Sequence, residues 1–410
     1  MNICGEKECT GCMACYSVCN HGAIAAGADS RGFYMPVIDN DICINCGNCK
    51  KVCPANRNVE KSHFKQEVFA CWSNDPELRL GSTSGGIFTG LSKYVLSKGG
   101  TVFGAKFDSR FRVVHGSAED ERQLACFRGS KYVQSYMGDT YRDIKKRLDR
   151  GILVLFTGTP CQNAGLKCFL GKPYNNLIAV DIICHGVPSP LVFNDYVEYM
   201  KKKANSDISS ISFRHKQPGW TVHSMKIDFS NNSSYMADVL TDPYLVGFLQ
   251  NYFLRDCCHE CKYAVLDRQG DITIADFWGY VSNRRKFRND EKGISLVIIN
   301  SKTGRDILEA VKGDYVVQKK DMREALNGNR CLQAPYGKNP LSDLFWKEYL
   351  DCRDFGLASQ KYFYKRKSSL RRMVSRFIDD HSYLMPVDIR KKYENIKDRL
   401  KQKFYKKEQK

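Results

Sequence analysis

Two runs of four cysteines near the start of the chain constrain its fold more than any other feature. The first run is Cys9, Cys12, Cys15 and Cys19, and the second is Cys43, Cys46, Cys49 and Cys53, followed by Pro54. Both runs have the spacing C-x2-C-x2-C-x3-C, which is the bacterial pattern for binding a 4Fe–4S cluster. Three cysteines on a tight loop can bind three iron atoms of one cubane, but the fourth cannot fold back to the same cubane.

The fourth cysteine of each run is therefore predicted to bind the other cluster. Cluster one would be held by Cys9, Cys12, Cys15 and Cys53, and cluster two by Cys43, Cys46, Cys49 and Cys19. Zinc is the alternative, but zinc sites usually separate two CxxC pairs by a longer spacer. Asn20 replaces the usual proline after the first run, and Cys4 lies outside the pattern and is expected to be unligated. Residues 1–56 are predicted to form a two-cluster ferredoxin-like domain.

The cysteine content indicates the cellular compartment in which the chain is expected. Nineteen cysteines in 410 residues, without an apolar leader, favour the reducing cytoplasm, where thiolates bind metal and do not form disulfides. The absence of a long apolar run predicts no transmembrane segment. The net charge is +19, and much of the excess lies in residues 361–410, which are predicted to form a basic helical tail.

The basic tail has several possible partners. It could contact an acidic ferredoxin, a flavodoxin or an anionic membrane surface, although a solvated helical face is the simpler interpretation. Nucleic-acid binding is not expected, because the chain has no recognition motif for it. Nothing in the sequence predicts an oligomeric state.

Beyond a polar linker at 57–66, the pattern predicts a mixed α/β (α+β) domain over residues 67–360. Apolar runs at 152–156 and 177–183 indicate buried strands of an α/β sheet, with 163–171 as a short crossover. The other predicted strands are 101–107, 209–213, 224–229, 271–275 and 295–300, and the other predicted helices are 86–98, 139–150, 191–203 and 303–311.

Two loops could hold an anion. Residues 81–86, Gly-Ser-Thr-Ser-Gly-Gly, come directly before a predicted helix, whose N-terminus favours a phosphate. A flexible loop with an N-cap serine is the alternative. Residues 128–132 place two cations beside Gly129, although a solvated turn would have the same composition.

Further cysteines follow the predicted strands. Cys161 comes after strand 152–156 and Cys184 after strand 177–183, so both lie at the sheet edge where ligands bind. With the CxxC pair Cys258 and Cys261 they supply four thiolates, the number that a third cluster needs. Ordinary buried thiols are the alternative. Cys257 is an alternative to Cys258 as one of these ligands, and Cys168 is a further candidate ligand. The other cysteines have no ligand spacing and are predicted to be packed thiols: Cys71, Cys126, Cys331 and Cys352.

Several ordered motifs resemble the coenzyme F420 hydrogenase/dehydrogenase beta-subunit family. They are Gly81–Phe88, Gly129–Ser135, Thr157–Gln162, Cys184–Pro188 and Asp271–Gly279, within a matched region of roughly 67–350. The resemblance implies an FAD-binding α/β domain with its own 4Fe–4S cluster at Cys161, Cys184, Cys258 and Cys261. It also implies flavin contacts, which are expected at Ser82, Ser84, Gly85, Gly86, Lys131, Thr157, Gly158 and Thr159.

The expected function is therefore that of an iron–sulfur flavoprotein oxidoreductase. FAD exchanges single electrons with clusters and a hydride with a small organic substrate, for which coenzyme F420 is one candidate. His185 is a candidate proton shuttle near pH 7, although a structural histidine in a turn is as good an interpretation. The alternatives are a non-catalytic electron-relay subunit and a reductase of polysaccharide biosynthesis.

Overall fold

The structure is a computed structural model that describes residues 2–59, 63–280 and 290–363. Apart from its first three residues, the predicted basic tail lies outside the described residues. Among the described residues, no helix has the length and apolarity that crossing a membrane requires.

The strands and helices follow one another in a mixed order along the described chain. The strands are β1 Ile24–Ala28, β2 Tyr34–Ile38, β3 Glu67–Ser73, β4 Thr101–Phe107, β5 Val113–Ala118, β6 Val154–Gly158, β7 Leu177–Ile182, β8 Ile208–His215, β9 Ser224–Phe229, β10 Ser234–Asp238, β11 Ile272–Asp276, β12 Ser295–Ile299 and β13 Tyr315–Lys320. The helices are α1 Ala14–Val18, α2 Asn48–Lys51, α3 Pro76–Leu80, α4 Ile87–Ser97, α5 Thr140–Asp149, α6 Pro160–Leu170, α7 Pro190–Ala204, α8 Pro243–Leu249, α9 Lys302–Val311, α10 Met322–Gly328, α11 Ser342–Cys352 and α12 Phe355–Ala358.

The main sheet has eight strands in the order β13-β3-β12-β11-β7-β6-β4-β5. Its centre, β4-β6-β7-β11, is parallel, and antiparallel strands complete both sides. The predicted α/β class is therefore confirmed, with a mixed sheet. The predicted strands at 152–156 and 177–183 are β6 and β7, and they pair directly, as the sequence indicated.

Local sequence explains where the helices begin. Thr159 caps α6 in a reciprocal capping box with Gln162, and a proline occupies the first turn. Ser189 and Asp242 cap α7 and α8 through side-chain hydrogen bonds to main-chain N–H groups. At the start of α4, Gly86 has a φ of 92°, a conformation that side-chain-bearing residues rarely adopt.

A second layer carries a three-stranded sheet, β10-β9-β8. An aromatic core joins it to α7, α8 and α11, and this core includes Phe193, Phe213, Tyr244 and Phe345. Rings such as Phe193 and Phe213 have centroids 5.4 Å apart, within the range at which aromatic pairs stabilise one another. This layer and the carboxyl edge of the main sheet enclose the cavity described below.

The N-terminal module consists of the β1–β2 hairpin with helices α1 and α2. Its own small core contains Ile3, Ile24 and three of the cysteines. A second apolar cluster joins Cys12, Met13 and Ala14 of the module to α5 and α6 of the large domain. The module is therefore packed against the edge that follows strand β6.

Candidate functional site

The four cysteines predicted for cluster one surround a single small cavity. Cys9, Cys12, Cys15 and Cys53 all line it, together with Cys4. Burial raises the pKa of Cys12 to about 12. A hydrogen bond from Cys4 is the largest influence on Cys9 and lowers its pKa to about 6. The structure thus brings Cys53 of the second run to the first run, which is the crossed arrangement that the spacing predicts.

The cysteines predicted for cluster two lie nearer the surface. Cys43 and Cys46 are close enough to Cys49 for their charges to raise its pKa further, after the larger effect of burial. Cys19 packs against the same small core as Cys49. Cys46 is exposed, and its neighbour Ile44 is 62% exposed. An external electron carrier could therefore approach this end of the module.

Three cations of the large domain hold the module through its main-chain carbonyl groups. Arg142 donates to the carbonyl oxygens of Tyr16, Ser17 and Cys19 at 2.8 to 3.0 Å. Arg255 donates to those of Cys9 at 2.7 Å and Tyr34 at 3.0 Å. Lys262 donates to those of Pro54 at 2.5 Å, Ala55 at 3.2 Å and Arg57 at 2.5 Å. Hydrogen bonds from charged donors are among the stronger ones in proteins, so the docking is specific.

The cysteines predicted for a third cluster line one large cavity. Cys161 lies in the first turn of α6 and Cys184 follows β7, so the predicted convergence at neighbouring strand ends is confirmed. Cys258 and Cys261 approach from the loop after α8 and line the same cavity. Burial raises the pKa of Cys184, and the neighbouring thiols of Cys161 and Cys261 add to that effect.

Two further cysteines line the cavity beside this set. Cys257 lines the cavity beside Cys258, which raises the pKa of Cys257, and either of the two can supply the ligand. Cys331 is buried next to Cys261, and burial raises its pKa to about 11. Sequence analysis treated Cys331 as a packed thiol because no spacing pattern marks it. In the described residues no three His, Cys, Asp or Glu side chains are arranged to hold a single metal ion. This finding does not apply to a 4Fe–4S cubane, because each of its four thiolates binds a different iron atom and the four sulfur atoms do not surround a single ion.

A fully buried ion pair stiffens the loop that follows Cys261. Arg268 lies 3.2 Å from Asp181 at the end of β7, with both side chains at most 1% exposed. Its guanidinium also donates to the carbonyl oxygens of Tyr263 at 3.1 Å and Ile182 at 2.9 Å. The pair therefore fixes the CxxC loop against the strand that leads to Cys184.

The large cavity has a volume of about 910 Å³, near the upper end of the range for cofactor and ligand sites. Of the residues predicted to bind flavin, all except Gly85 line it, and so does His185. The Gly85 N–H instead donates to Ser295 Oγ at 2.9 Å. Thr83, which sequence analysis did not single out, lines the cavity and accepts a hydrogen bond from Ser130 N.

The serine hydroxyls of the glycine-rich loop are already engaged. Ser82 donates to the carbonyl oxygen of Leu78 at 2.7 Å, and Ser84 donates to that of Ile294 at 2.6 Å. Lys131 donates to the carbonyl oxygens of Cys126 and Arg128, and burial lowers its pKa to about 8. A phosphate at this loop would therefore accept hydrogen bonds from main-chain N–H groups at the start of α4 and not from the serine hydroxyls.

Several buried polar atoms on the cavity wall have no hydrogen-bond partner among the described residues. They are His115 Nδ1, Arg128 Nε, Thr157 Oγ1, Arg214 Nε and His223 Nδ1. His115 contacts the Thr157 carbonyl through Nε2 at 3.2 Å, which leaves Nδ1 as the free atom. Unpaired buried polar atoms cost free energy, so they indicate that a polar ligand fills this cavity.

Arg214 anchors the far wall of the cavity. It lies 3.0 Å from Asp276 at the end of β11, and its guanidinium lies 5.2 Å from the ring centroid of Trp278. Trp278 in turn stacks on Trp220 at 4.9 Å, and Trp220 Nε1 donates to Asp276 at 2.6 Å. This wall therefore combines a buried cation with a flat aromatic surface.

His185 occupies a closely packed position. Its Nε2 lies 2.7 Å from Asn251 Oδ1, and its ring stacks on Tyr336 at 4.1 Å. Burial lowers the pKa of His185 to about 4, so the ring is neutral at pH 7. This environment fits a structural histidine better than a shuttle that titrates near pH 7, and the catalytic role stays a prediction.

Two cysteine runs brought together in the N-terminal module, beside a cavity lined by further cysteines, define an iron–sulfur redox protein. Residues 8–57 match the family model of the 4Fe-4S dicluster domain, and residues 152–325 match the model for the C terminus of the beta subunit of coenzyme F420 hydrogenase/dehydrogenase. The chain therefore carries a domain of the coenzyme F420 hydrogenase/dehydrogenase beta-subunit family behind a 4Fe–4S dicluster domain, and the resemblance seen in the motifs is confirmed.

Individual proteins match parts of the chain. The chain is 26% identical over 169 residues to a subunit of the F420H2 dehydrogenase of Methanosarcina mazei, which covers 38% of this chain and 46% of that relative. It is 37% identical over 54 residues to an uncharacterized ferredoxin of Methanocaldococcus jannaschii, covering 13% and 69% of the two chains. A chain from the F420-reducing NiFe hydrogenase complex of Methanosarcina barkeri superimposes with a TM-score of 0.43 at 18% identity, covering 74% of this chain and 91% of that chain.

Proposed function

We propose that this iron–sulfur protein is a flavin-dependent oxidoreductase, which passes electrons between its clusters and a small organic hydride acceptor or donor through FAD. The observation that carries the proposal is that a single cavity is lined both by the cysteines of the third set and by the glycine-rich loop. A cluster and a flavin bound there would be close neighbours. Coenzyme F420 is the first substrate to test, because a relative that shares 26% identity is named for it.

The residues of the cavity fit a flavin in several respects. The N-terminus of α4, entered through Gly86, suits a phosphate, and the unpartnered atoms of His115 and Thr157 suit the polar edge of a ring system. When bound, FAD would supply the exchange between one-electron and two-electron chemistry. The protein would orient the cofactor, and the buried walls would exclude water from it.

The packing of the module suggests an order for electron transfer. The proposed site of cluster two is nearest the surface, and the proposed site of cluster one lies against the large domain. Cys12 Sγ lies 2.9 Å from where a Cβ would stand on Gly165, four residues after Cys161. Arg255 and Lys262 fix the contact from the other side. Electrons would therefore pass from a ferredoxin or flavodoxin to cluster two, then to cluster one, the third cluster and the cavity, or in the reverse direction.

An electron-relay subunit without its own substrate is the second candidate. The observation that favours it is the engagement of Ser82 and Ser84, whose hydroxyl protons already go to main-chain carbonyls. A relay would need the clusters but no flavin. The two proposals therefore differ in the flavin content of the purified protein, which can be measured directly.

The deciding experiment is anaerobic purification with iron, acid-labile sulfide and flavin quantified on the same sample. The flavoenzyme should contain about 12 iron atoms and one FAD per chain, whereas a two-cluster relay should contain about 8 iron atoms and no flavin. Cys161→Ala and Cys184→Ala should each remove about 4 iron atoms, while the exposed Cys352→Ala should remove none.

Two further tests refine the assignment. Cys257→Ala and Cys258→Ala compared side by side identify the ligand, because only one of them should lower the iron content. Reduction of coenzyme F420 by reduced ferredoxin, followed by absorbance, then tests the substrate. A protein with flavin and about 12 iron atoms that leaves coenzyme F420 unchanged would keep the flavoenzyme proposal and reject this substrate.

A further inference from the structure

The site of cluster one contains one more thiol than a cubane needs. Its cavity is lined by Cys4 as well as by Cys9, Cys12, Cys15 and Cys53. A 4Fe–4S cluster takes four cysteine ligands, so one of the five thiols is in excess. The sequence pattern identifies it as Cys4, which precedes the first run.

Cys4 is in contact with two particular ligands. It packs against the small core that contains Cys53, and it lines the same cavity as Cys9 and Cys53. The sulfur atoms of Cys53 and Cys9 both raise the pKa of the Cys4 thiol. Burial is the largest influence on Cys12 and Cys15, and it raises the pKa of both thiols. The extra thiol therefore lies on the side of the cavity where Cys9, the first cysteine of the first run, is close to Cys53, the last cysteine of the second run.

The position of Cys4 is fixed by the main chain around it. The side-chain amide of Asn56 donates to the carbonyl oxygen of Ile3 at 2.9 Å and to that of Lys50 at 3.1 Å. Asn56 also donates its main-chain N–H to the carbonyl oxygen of Cys53 at 3.2 Å. One residue therefore holds the segment before Cys4 and the segment after Cys53 together. Ile3 itself is buried in the module's core.

We propose that Cys4 is a reserve ligand of the cluster-one site, which binds iron in place of Cys9 or Cys53 when either of them is lost. The proposal rests on the cluster-one ligand set given above. The step needs no oxidant: where Cys9 or Cys53 is missing, one iron has an open position, the Cys4 thiol releases its proton to solvent, and its sulfur forms the Fe–S bond that the missing cysteine would have made. Its chemistry is that of any cysteine thiolate binding a cluster.

The test compares iron content in variants of the full chain purified without oxygen. Cys4→Ala, Cys9→Ala and Cys53→Ala should each keep the iron content of the wild type. Cys12→Ala, which has no reserve thiol, should lose about 4 iron atoms, and the double variants Cys4→Ala/Cys9→Ala and Cys4→Ala/Cys53→Ala should lose the same number.

Three outcomes would overturn the proposal for different reasons. Iron as low in Cys9→Ala and Cys53→Ala as in Cys12→Ala would show that nothing replaces the lost ligand. If Cys9→Ala/Cys257→Ala lost about 4 iron atoms more than Cys257→Ala alone, while Cys4→Ala/Cys9→Ala kept its iron, the rescue would be assigned to Cys257, whose pKa the charge of Cys9 raises. Wild-type iron in Cys12→Ala would mean that the ligand set of cluster one is itself wrong.

Thiol labelling gives a readout that does not depend on total iron. Iodoacetamide should alkylate Cys4 in the folded wild type, because its side chain is partly exposed and holds no iron there. In Cys9→Ala, where Cys4 binds iron, alkylation should be about tenfold slower as judged by peptide mass spectrometry. Equal rates in the two proteins would overturn the proposal even if both retained their iron.

Discussion

The ammonium nitrogen of Lys262 lies 2.5 Å from the main-chain carbonyl oxygen of Pro54. Lys262 follows Cys261 in the chain, and Pro54 follows Cys53. Cys261 is a proposed ligand of the third cluster, and Cys53 is a proposed ligand of cluster one. The hydrogen bond therefore connects the chain directly after one ligand to the chain directly after the other.

Replacing Lys262 with methionine should loosen this contact without removing any cysteine. The variant loses the hydrogen bonds to Pro54, Ala55 and Arg57, and hydrogen bonds from charged donors contribute about 1.5–3 kcal/mol. The temperature at which iron–sulfur absorbance is lost should fall, and iron content before heating should be unchanged. Lys312→Met, which removes only an exposed pair with Glu309, is the control and should leave that temperature unaltered.

A glycine of α6 allows the module to approach the large domain. A Cβ on Gly165 would lie 2.9 Å from Cys12 Sγ and 3.0 Å from Tyr141 Oη. Alanine is the better helix former by about 1 kcal/mol, yet Gly165→Ala should be destabilising by about 1–3 kcal/mol because the interface is overpacked. Denaturant unfolding measures the difference.

Gly313→Ala is the matched control for that substitution, since a Cβ there meets no atom within 4 Å. Its free energy of unfolding should stay within about 0.5 kcal/mol of the wild type. If Gly165→Ala behaved in the same way, the close contact between α6 and Cys12 would be disproved.

Removing the buried cation Arg268 should be among the most damaging single changes in the chain. Arg268→Met leaves the carboxylate of Asp181 without its partner in a site where both side chains are at most 1% exposed. Breaking a buried pair on one side costs about 3–5 kcal/mol, which denaturant unfolding should detect.

Two comparisons separate the ion pair from general disruption. Arg268→Met/Asp181→Asn should recover part of the loss, because no uncompensated charge is left behind. Arg305→Met, which breaks a partly exposed pair with Glu67, should cost at most about 1 kcal/mol. Equal losses in the double and single variants would contradict the electrostatic explanation.

Asp242 should make stability depend on pH. Burial raises its pKa to about 6 from the usual 3.8, even though Tyr196, Tyr235 and the N–H of Leu245 donate hydrogen bonds to it. Between these two values the unfolded chain binds fewer protons than the folded chain, so stability decreases as pH rises through this window. Above pH 6 the full cost, about 3 kcal/mol, is present.

Asp242→Asn should remove this dependence while keeping one acceptor oxygen, which can accept either from the N–H of Leu245 or from the hydroxyls of Tyr196 and Tyr235. From about pH 5 to about pH 7.5, the variant should gain about 1–2 kcal/mol relative to the wild type in denaturant unfolding. A constant difference between the two proteins over this range would show that Asp242 titrates normally.

Local patterns predicted the elements that place the site, and long-range contacts explain what was missed. The helix expected at 86–98 is Ile87–Ser97, and the strand expected at 224–229 is Ser224–Phe229, because periodicity and turn residues are local properties. The meeting of Cys161 and Cys184 was predictable because parallel strands end at one edge. The polar edge strand Tyr315–Lys320 was not predicted, since its pairing with β3 depends on residues far away in the chain.

Side-chain partners were the least predictable part of the site. Ser84 was predicted to contact the flavin, but its hydroxyl donates to the carbonyl oxygen of Ile294, some two hundred residues away. Cys331 and Cys4 belong to no spacing pattern, and only the folded chain brings them to other cysteines. Sequence spacing identifies ligands that are close in the chain, but not those that only the fold brings together.

The contacts of Arg142, Arg255 and Lys262 with the N-terminal module have an evolutionary consequence. All three donate to main-chain carbonyl oxygens, which every amino acid supplies. The residues that carry those carbonyls can change during divergence without breaking the hydrogen bonds. Pairwise covariation between the two parts of the chain should therefore be weak, although the parts are in tight contact.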